Sequence, residues 1–413
     1  MHLDPKKASI LKSLLNTTVL VSSLGYFVDI YDLILFGIVR IPSLTELGVR
    51  GDELIKVGVF ILNMQMAGML VGGIIFGIWG DKRGRLSVLF GSIFLYSIAN
   101  LLNAFVTDIN LYAVLRFVAG IGLAGELGAA VTLVSEVMTK ETRGYGTAIV
   151  ATIGVSGAIF AAIIGEKFNW HIAYIIGGVL GLILLLLRIR MFESGMYKSL
   201  ISSSVSRGNF LKLFTSKDRF LRYAYCILIG LPIWYVIGIL ITFSPEFGKV
   251  LGVNEPINAG NSILFTYTGL IFGDFASGFL SQFIKSRKKV VMIFIALTTL
   301  FIFVYLFSSG LSKDMFYGLC ILLGISIGYW AVFVTTASEQ FGTNLRSTVT
   351  TTVPNFIRGS VVPITIAFSL LRPAFGMIHS ALIVGIISVL VAVFAAYKLE
   401  ETYGKDLNFL ENV

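Results

Sequence analysis

The sequence predicts an all-α integral membrane protein of twelve transmembrane helices in two pseudo-symmetric six-helix bundles. Three observations predict it. The 413 residues are 56% hydrophobic and only 13% charged, with mean hydropathy +0.87, too apolar for a soluble globular protein. The apolar residues gather into runs of about 20, the length that crosses ~30 Å of hydrocarbon. Short polar patterns of the first half recur in the second.

Twelve runs reach that length: 17–39, 57–79, 86–106, 111–137, 145–165, 170–190, 220–243, 260–284, 289–309, 314–337, 347–371 and 376–397. Runs such as "IIGGVLGLILLLL" (175–187) do not alternate, which argues against a β-barrel of ~10-residue strands. Of the 32 Lys and Arg, 23 fall on the side of the N-terminus, eight of them between Arg188 and Arg222. Seven fall on the other side: Arg40, Arg50, Lys56, Lys167, Lys249, Lys313 and Arg372. The positive-inside rule then sets both termini in the cytoplasm. The +9 net charge follows from topology and implies no nucleic-acid partner.

The first run lacks a small-residue cleavage site and holds two carboxyls, so a retained span is expected rather than a signal peptide. Cys226 and Cys320 fall in or beside predicted helices, and His2, His171 and His379 are scattered near predicted ends. Neither a disulfide framework nor a metal or cofactor site is expected from them.

The polar stretch from Arg188 to Arg222 splits the runs six and six. The expected units are a bundle over 1–192, a cytoplasmic linker over 193–219 and a bundle over 220–413 with a short cytoplasmic tail. "SEVMTKETRG" (135–144) sets Glu136 seven residues before Arg143, and "SEQFGTNLRS" (338–347) repeats the spacing with Glu339 and Arg346. "GIWGDKRGR" (77–85) is echoed more weakly by "GFLSQFIKSRK" (278–288), where Gln282 stands in place of Asp81.

Gly77, Gly80, Asp81, Arg83, Gly84 and Arg85 resemble the signature of the major facilitator superfamily between its second and third helices. Arg116, Gly120, Gly122, Gly125 and Glu126 resemble its fourth-helix signature. Within it the chain is most similar to the metabolite:proton symporters, which include carriers for proline and betaine, α-ketoglutarate, citrate and shikimate. "DIYDLILFG" (29–37), "GLAGELGAAVTLVSE" (122–136), "WHIAYIIG" (170–177) with "LLRIRMFES" (186–194), and "LRSTVTTTVPNFIRGSVVP" (345–363) carry that similarity.

The resemblance implies a proton-coupled symporter of a small carboxylate-bearing or zwitterionic metabolite, working by alternating access in the bacterial inner membrane as a monomer. Its partners would be substrate, protons and the lipid bilayer, and it would not be an enzyme. In paired six-helix repeats the substrate site lies between the halves near the midplane. The alternatives are a proton-driven exporter of drugs or a siderophore, and a non-transporting nutrient sensor. No G-x-x-x-x-G-K-[ST] loop supports an ATP-driven pump.

Six charges lie at membrane depth: Asp29, Asp32, Arg116, Glu126, Asp274 and Arg358. Each costs roughly 2.5–3.5 kcal/mol at a span centre, so each needs a partner or a wet cavity. Asp29 and Asp32, three residues apart, are expected on one side of the first helix beside Tyr26. Two carboxyls that close in a poorly hydrated place resist ionising together. This suits a proton-coupling site, with an internal ion pair or a helix cap as the alternative. Arg116 and Glu126 join them either as coupling residues or as a structural pair.

Arg358, twelve residues beyond Arg346 and so about 18 Å into the membrane, carries a permanent charge that forks onto carboxylates. The resemblance makes it the substrate anchor; a salt bridge to Asp274 is the alternative. Tyr31, Trp234, Tyr235, Tyr329 and Trp330 either wall the substrate cavity or pack structurally, and Pro354 and Pro363 would let the helix bend around Arg358. Asp81, Arg83 and Arg85, with Glu136–Arg143 and Glu339–Arg346, are expected as cytoplasmic gating latches.

"GIGLAG" (120–125) matches a dinucleotide fingerprint but sits in an apolar helix with no preceding strand, so close helix packing explains it better. Gly68, Gly72, Gly73 and Gly77 have a spacing that lets helices approach.

Overall fold

The computed structural model describes residues 17–138, 143–189, 210–405 and 411. Among them all regular structure is helical. In the first half the helices are α1 (Thr17–Glu46), α2 (Glu53–Arg83), α3 (Arg85–Asn103), α4 (Ile109–Leu123), α5 (Glu126–Val137), α6 (Arg143–Lys167) and α7 (Trp170–Arg188). In the second they are α8 (Lys217–Leu228), α9 (Leu231–Tyr235), α10 (Ser244–Val250), α11 (Ala259–Ile284), α12 (Arg287–Phe307), α13 (Lys313–Ile327), α14 (Trp330–Glu339), α15 (Thr343–Gly359) and α16 (Val361–Lys398).

Eleven helical runs among the described residues are long and apolar enough to cross a membrane. The last run, Thr348–Lys398, covers two of the predicted spans and is interrupted at Gly376, whose φ of 70° suits a residue without Cβ. The twelve-span architecture therefore holds. Phe272, Phe275, Phe279 and Phe283 form an exposed stripe on α11, and a stripe at that spacing facing water would be unstable. The exterior is that of a multi-pass membrane protein.

Local chemistry starts the helices where the runs begin. Asp108, Asn169, Asn258, Ser286 and Ser312 each accept the amide proton of the residue three positions on, capping α4, α7, α11, α12 and α13. Several spans are discontinuous. The fourth breaks at Ala124–Gly125 and the tenth at Gly328–Tyr329, equivalent places in the two halves. The seventh runs through α8, α9 and a π-helical stretch (Val236–Ile241), with α10 following it. The predicted bend near Arg358 is a break between α15 and α16, immediately after Gly359.

Within the first bundle α1 packs on α6 and α2 on α4; within the second, α11 packs on α13. Between the bundles α15 lies on α2, and α11 on α6. The glycines set these distances. Cβ atoms on Gly68 and Gly72 would enter the α4 backbone at Phe117 and Ile121. Gly73 and Gly77 instead face Asn355 and Thr352 of the other bundle. In "GIGLAG", Gly120 meets the Gln65 carbonyl, while Gly122 and Gly125 meet α3 at Tyr96 and Ser92. The motif is a packing surface.

Candidate functional site

Asp29 and Asp32 diverge instead of sharing a site. Three residues advance about 300° around a helix, leaving ~60° between them, enough to aim the two carboxyls at different arginines. Asp32 accepts from Arg116 Nη1 at 2.9 Å, and both side chains are fully buried. Arg116 also donates to Asn100 Oδ1 at 3.0 Å and to the Asp32 carbonyl at 3.1 Å, with the Tyr174 ring 5.5 Å from its guanidinium carbon. Tyr174 in turn shares a 2.6 Å hydrogen bond with Tyr112.

Arg116 and Glu126 are not a pair. Glu126 is held by both terminal nitrogens of Arg188, which also donates to the Leu89 carbonyl at 3.3 Å. Arg188, on the cytoplasmic side by sequence, is fully buried. The signal was the need of a membrane-depth Glu126 for a cation and the position of Arg188 at the end of an unbroken apolar run. A Cβ on Gly25 would collide with this ion pair, so α1 closes directly over it.

Asp29 points across the bundle interface. Its Oδ2 lies 3.8 Å from Arg358 Nη1, and both side chains are buried. This corrects the alternative pairing of Arg358 with Asp274. The Asp274 carboxylate instead accepts the Ala331 amide at 3.1 Å, at the start of α14, where the tenth span breaks and leaves unpaired amides.

The Arg358 guanidinium carbon sits 5.7 Å from the Trp330 ring and 6.0 Å from the Trp234 ring, and the two indoles meet edge to face at 6.4 Å. Tyr26 is buried beside Trp330, Asp29 and Arg358. Both oxygens of Asp29, the Nε and Nη1 of Arg358 and the Trp234 indole nitrogen have no hydrogen-bond partner among the described residues. Other aromatic candidates are engaged within their own bundles: Tyr31 donates to the Ala173 carbonyl, Tyr235 to Ala381 and Tyr329 to Ile229.

Further contacts join the bundles along α1, α2 and α15. Asn355 Nδ2 donates to the Ala124 carbonyl at 2.8 Å, freed by the break in the fourth span. Thr365 donates to Asn63 at 2.6 Å. Toward the face of the 47–52 loop, Arg40 binds Glu246, and Arg372 binds Asp52 at 3.3 Å. Arg40, assigned to a solvent loop from sequence, is fully buried because α1 continues to Glu46. A small cavity lies between the bundles, bordered by Leu33 and Gly37 of α1, Trp234 and Thr242 of the seventh span, and Ile263 of α11.

Glu339 is bound by Arg287 at 3.5 Å and by Thr402 at 2.6 Å. The side chains of Asp81, Arg85, Glu136, Arg143 and Arg346 lie outside the described residues. Arg83 is exposed near the Trp79 ring. Among the described residues no cluster of three or more His, Cys, Asp or Glu is arranged to hold a metal ion.

Two six-helix bundles meeting along buried inter-bundle polar and ionic contacts define a multi-pass membrane transporter. The family model described as Major Facilitator Superfamily matches residues 22–365, and the chain belongs to that family. The sialic acid transporter NanX of Escherichia coli (strain K12) is 27% identical over 336 residues, 78% of this chain and 79% of that protein. The niacin transporter NiaP of Acinetobacter baylyi is 33% identical over 124 residues, 29% of this chain and 28% of that one. The crystal structure of a D-xylose-proton symporter matches with a TM-score of 0.72 at 15% identity, covering 94% of this chain and 99% of that one. The family and these relatives are transporters.

Proposed function

We propose that this transporter is a proton-coupled symporter of a small carboxylate-bearing or zwitterionic metabolite, acting as a monomer in the bacterial inner membrane with both termini in the cytoplasm. The observation that carries it is the Asp29–Arg358 pair, buried between the bundles at 3.8 Å with no hydrogen bond between its members. A guanidinium so held keeps donors free for a substrate carboxylate, which would bind in a fork and displace Asp29. Asp29, deprived of its counter-charge in a desolvated place, would then take a proton. Substrate and proton thereby enter the site together. Trp234 and Trp330 would flank the bound carboxylate, and the Trp234 indole N–H is free to donate to it.

Asp32 with Arg116 offers a second carboxylate whose pairing can change with conformation, and Glu126 with Arg188 a third. The acidic and basic residues around Asp81 and the Glu136 and Glu339 repeats would bias which side is open. The names of two relatives support a carboxylate substrate, since sialic acid and niacin both bear one.

The test is uptake by liposomes containing the pure protein and an internal pH dye, challenged with mono-, di- and tricarboxylates, amino acids and betaines. Acidification by one class, lost in Arg358→Ala, is the expected result. Substrate flux without acidification would overturn proton coupling; flux unaffected by Arg358→Ala would overturn the anchor.

A further inference from the structure

Arg40 stands apart from the site just described, yet it is built like it. Its Nη2 donates to both Glu246 carboxylate oxygens, at 2.6 and 2.9 Å, and to the Thr242 carbonyl at 3.4 Å. Its Nη1 donates to the Leu54 carbonyl at 3.4 Å, and the Phe243 ring centroid lies 4.6 Å from its guanidinium carbon. Arg40 is fully buried with Nε unpartnered, while the Glu246 side chain is 17% exposed. The acid therefore forms the outer lid of the pair.

Arg40 belongs to the first bundle and Glu246 to the second, so separating the bundles on this face must break the pair. A guanidinium that loses this carboxylate must be rehydrated or find another anion. Arg358 is in the mirror-image position: an arginine of the second bundle held by Asp29 of the first. From Asp29 to Arg40 along α1 is eleven residues, about 16 Å. A small inter-bundle cavity lies within this interval, beside Leu33, Ile34 and Gly37 of α1. One of its walls is Trp234, which flanks Arg358; another is Thr242, whose carbonyl receives Arg40.

We propose that Arg40 is a second carboxylate-binding site, nearer the outer surface, occupied by Glu246 in this conformation and by the transported carboxylate when the outer side opens. Glu246 is then an internal substitute for substrate, and the substrate carboxylate passes from Arg40 through the cavity to Arg358. The inference rests on the carboxylate symport proposed above. It differs from a plain latch, in which the two partners would be equivalent.

That asymmetry is testable in oriented proteoliposomes. A reporter thiol at Gly37→Cys reads opening from outside with a membrane-impermeant maleimide. The position tolerates a side chain, because a Cβ there meets Ile263 at 3.5 Å and Thr242 at 3.8 Å, ordinary contact distances. The native Cys226 and Cys320 are buried. Both Glu246→Gln and Arg40→Gln should raise the labelling rate severalfold.

Half-saturating external concentrations of the carboxylate that drives uptake should move in opposite directions, lower in Glu246→Gln and higher in Arg40→Gln. The double variant Arg40→Gln/Glu246→Gln leaves no unpaired charge and should follow Arg40→Gln. Equal shifts of the same sign, or unchanged external affinity in Arg40→Gln, would overturn the second site while leaving symport intact. If wild-type protein carries no carboxylate, both readings fall, and the labelling rates alone still report whether the pair holds the outer side closed.

Discussion

Asp29 Oδ2 and Arg358 Nη1 approach to 3.8 Å across the bundle interface, close enough to attract and too far to hydrogen-bond. A buried ion pair recovers its desolvation cost only when hydrogen bonds complete it, and this one lacks them among the described residues. On the function proposed above, the donors left open on Arg358 receive the substrate anion. Arg358→Lys keeps the charge but loses the planar fork. One charge-assisted hydrogen bond is worth roughly 1.5–3 kcal/mol, so uptake at subsaturating substrate should fall at least about tenfold, measured as the initial rate.

Asp29→Asn removes the proposed proton acceptor while leaving Arg358 with a free fork. Exchange of labelled for unlabelled substrate across the liposome membrane should persist, whereas accumulation driven by a pH gradient should be lost. Gradient-driven accumulation at wild-type level would show that the proton travels elsewhere, with Asp32 the next candidate.

Asp32 and Arg116 are both fully buried and joined at 2.9 Å. Truncating one partner of such a pair strands the other charge, at a cost of about 3–5 kcal/mol. Asp32→Asn should lower the unfolding midpoint in detergent clearly. The double variant Asp32→Asn/Arg116→Gln should be less destabilised than the sum of its two single variants, since no charge is then stranded.

A side chain at Gly25 would occupy the space of the Arg188–Glu126 ion pair. Gly25→Val should therefore destabilise the first bundle about as much as Glu126→Gln does. The two substitutions combined should cost less than their sum, because both act on one contact. Thermal unfolding in detergent followed by circular dichroism would measure this.

Beyond the last span, Glu401 ties the C-terminal segment to the start of α12. Burial opposes its charge, but hydrogen bonds from Ser286 and from the backbone amides of Tyr403, Arg287 and Lys288 outweigh it and hold the carboxyl below its usual value. A value depressed in the folded state stabilises fully above the unfolded carboxylate's pKa, about 4.3. That stabilisation is lost as pH falls through the lower folded value. Glu401→Gln should make the segment after Lys398 more protease-sensitive at pH 7, with the difference from wild type vanishing toward pH 3.

Much of the fold was legible because lipid imposes a one-dimensional rule: every span must be helical, apolar and about 20 residues long. Hydropathy alone located the spans, the six-plus-six division and the charged residues that break the pattern. The glycines of α2 and α4 could be read as packing positions for the same reason, since spacing along a helix fixes which face they share.

Pairing was not legible, because it depends on rotations and distances between helices that no spacing within one helix encodes. Asp29 and Asp32 looked like one site and serve two arginines; Arg116 looked like the partner of Glu126 and binds Asp32 instead. Arg40 and Arg188 looked like loop charges, because hydropathy places a helix end only to within a turn or two and a long side chain can reach back into the protein. By itself the sequence determined a twelve-helix transporter with charges at membrane depth. Only the packing of one bundle against the other decided which charges meet, since a buried ion takes as its partner whichever opposite charge the neighbouring helix brings within reach.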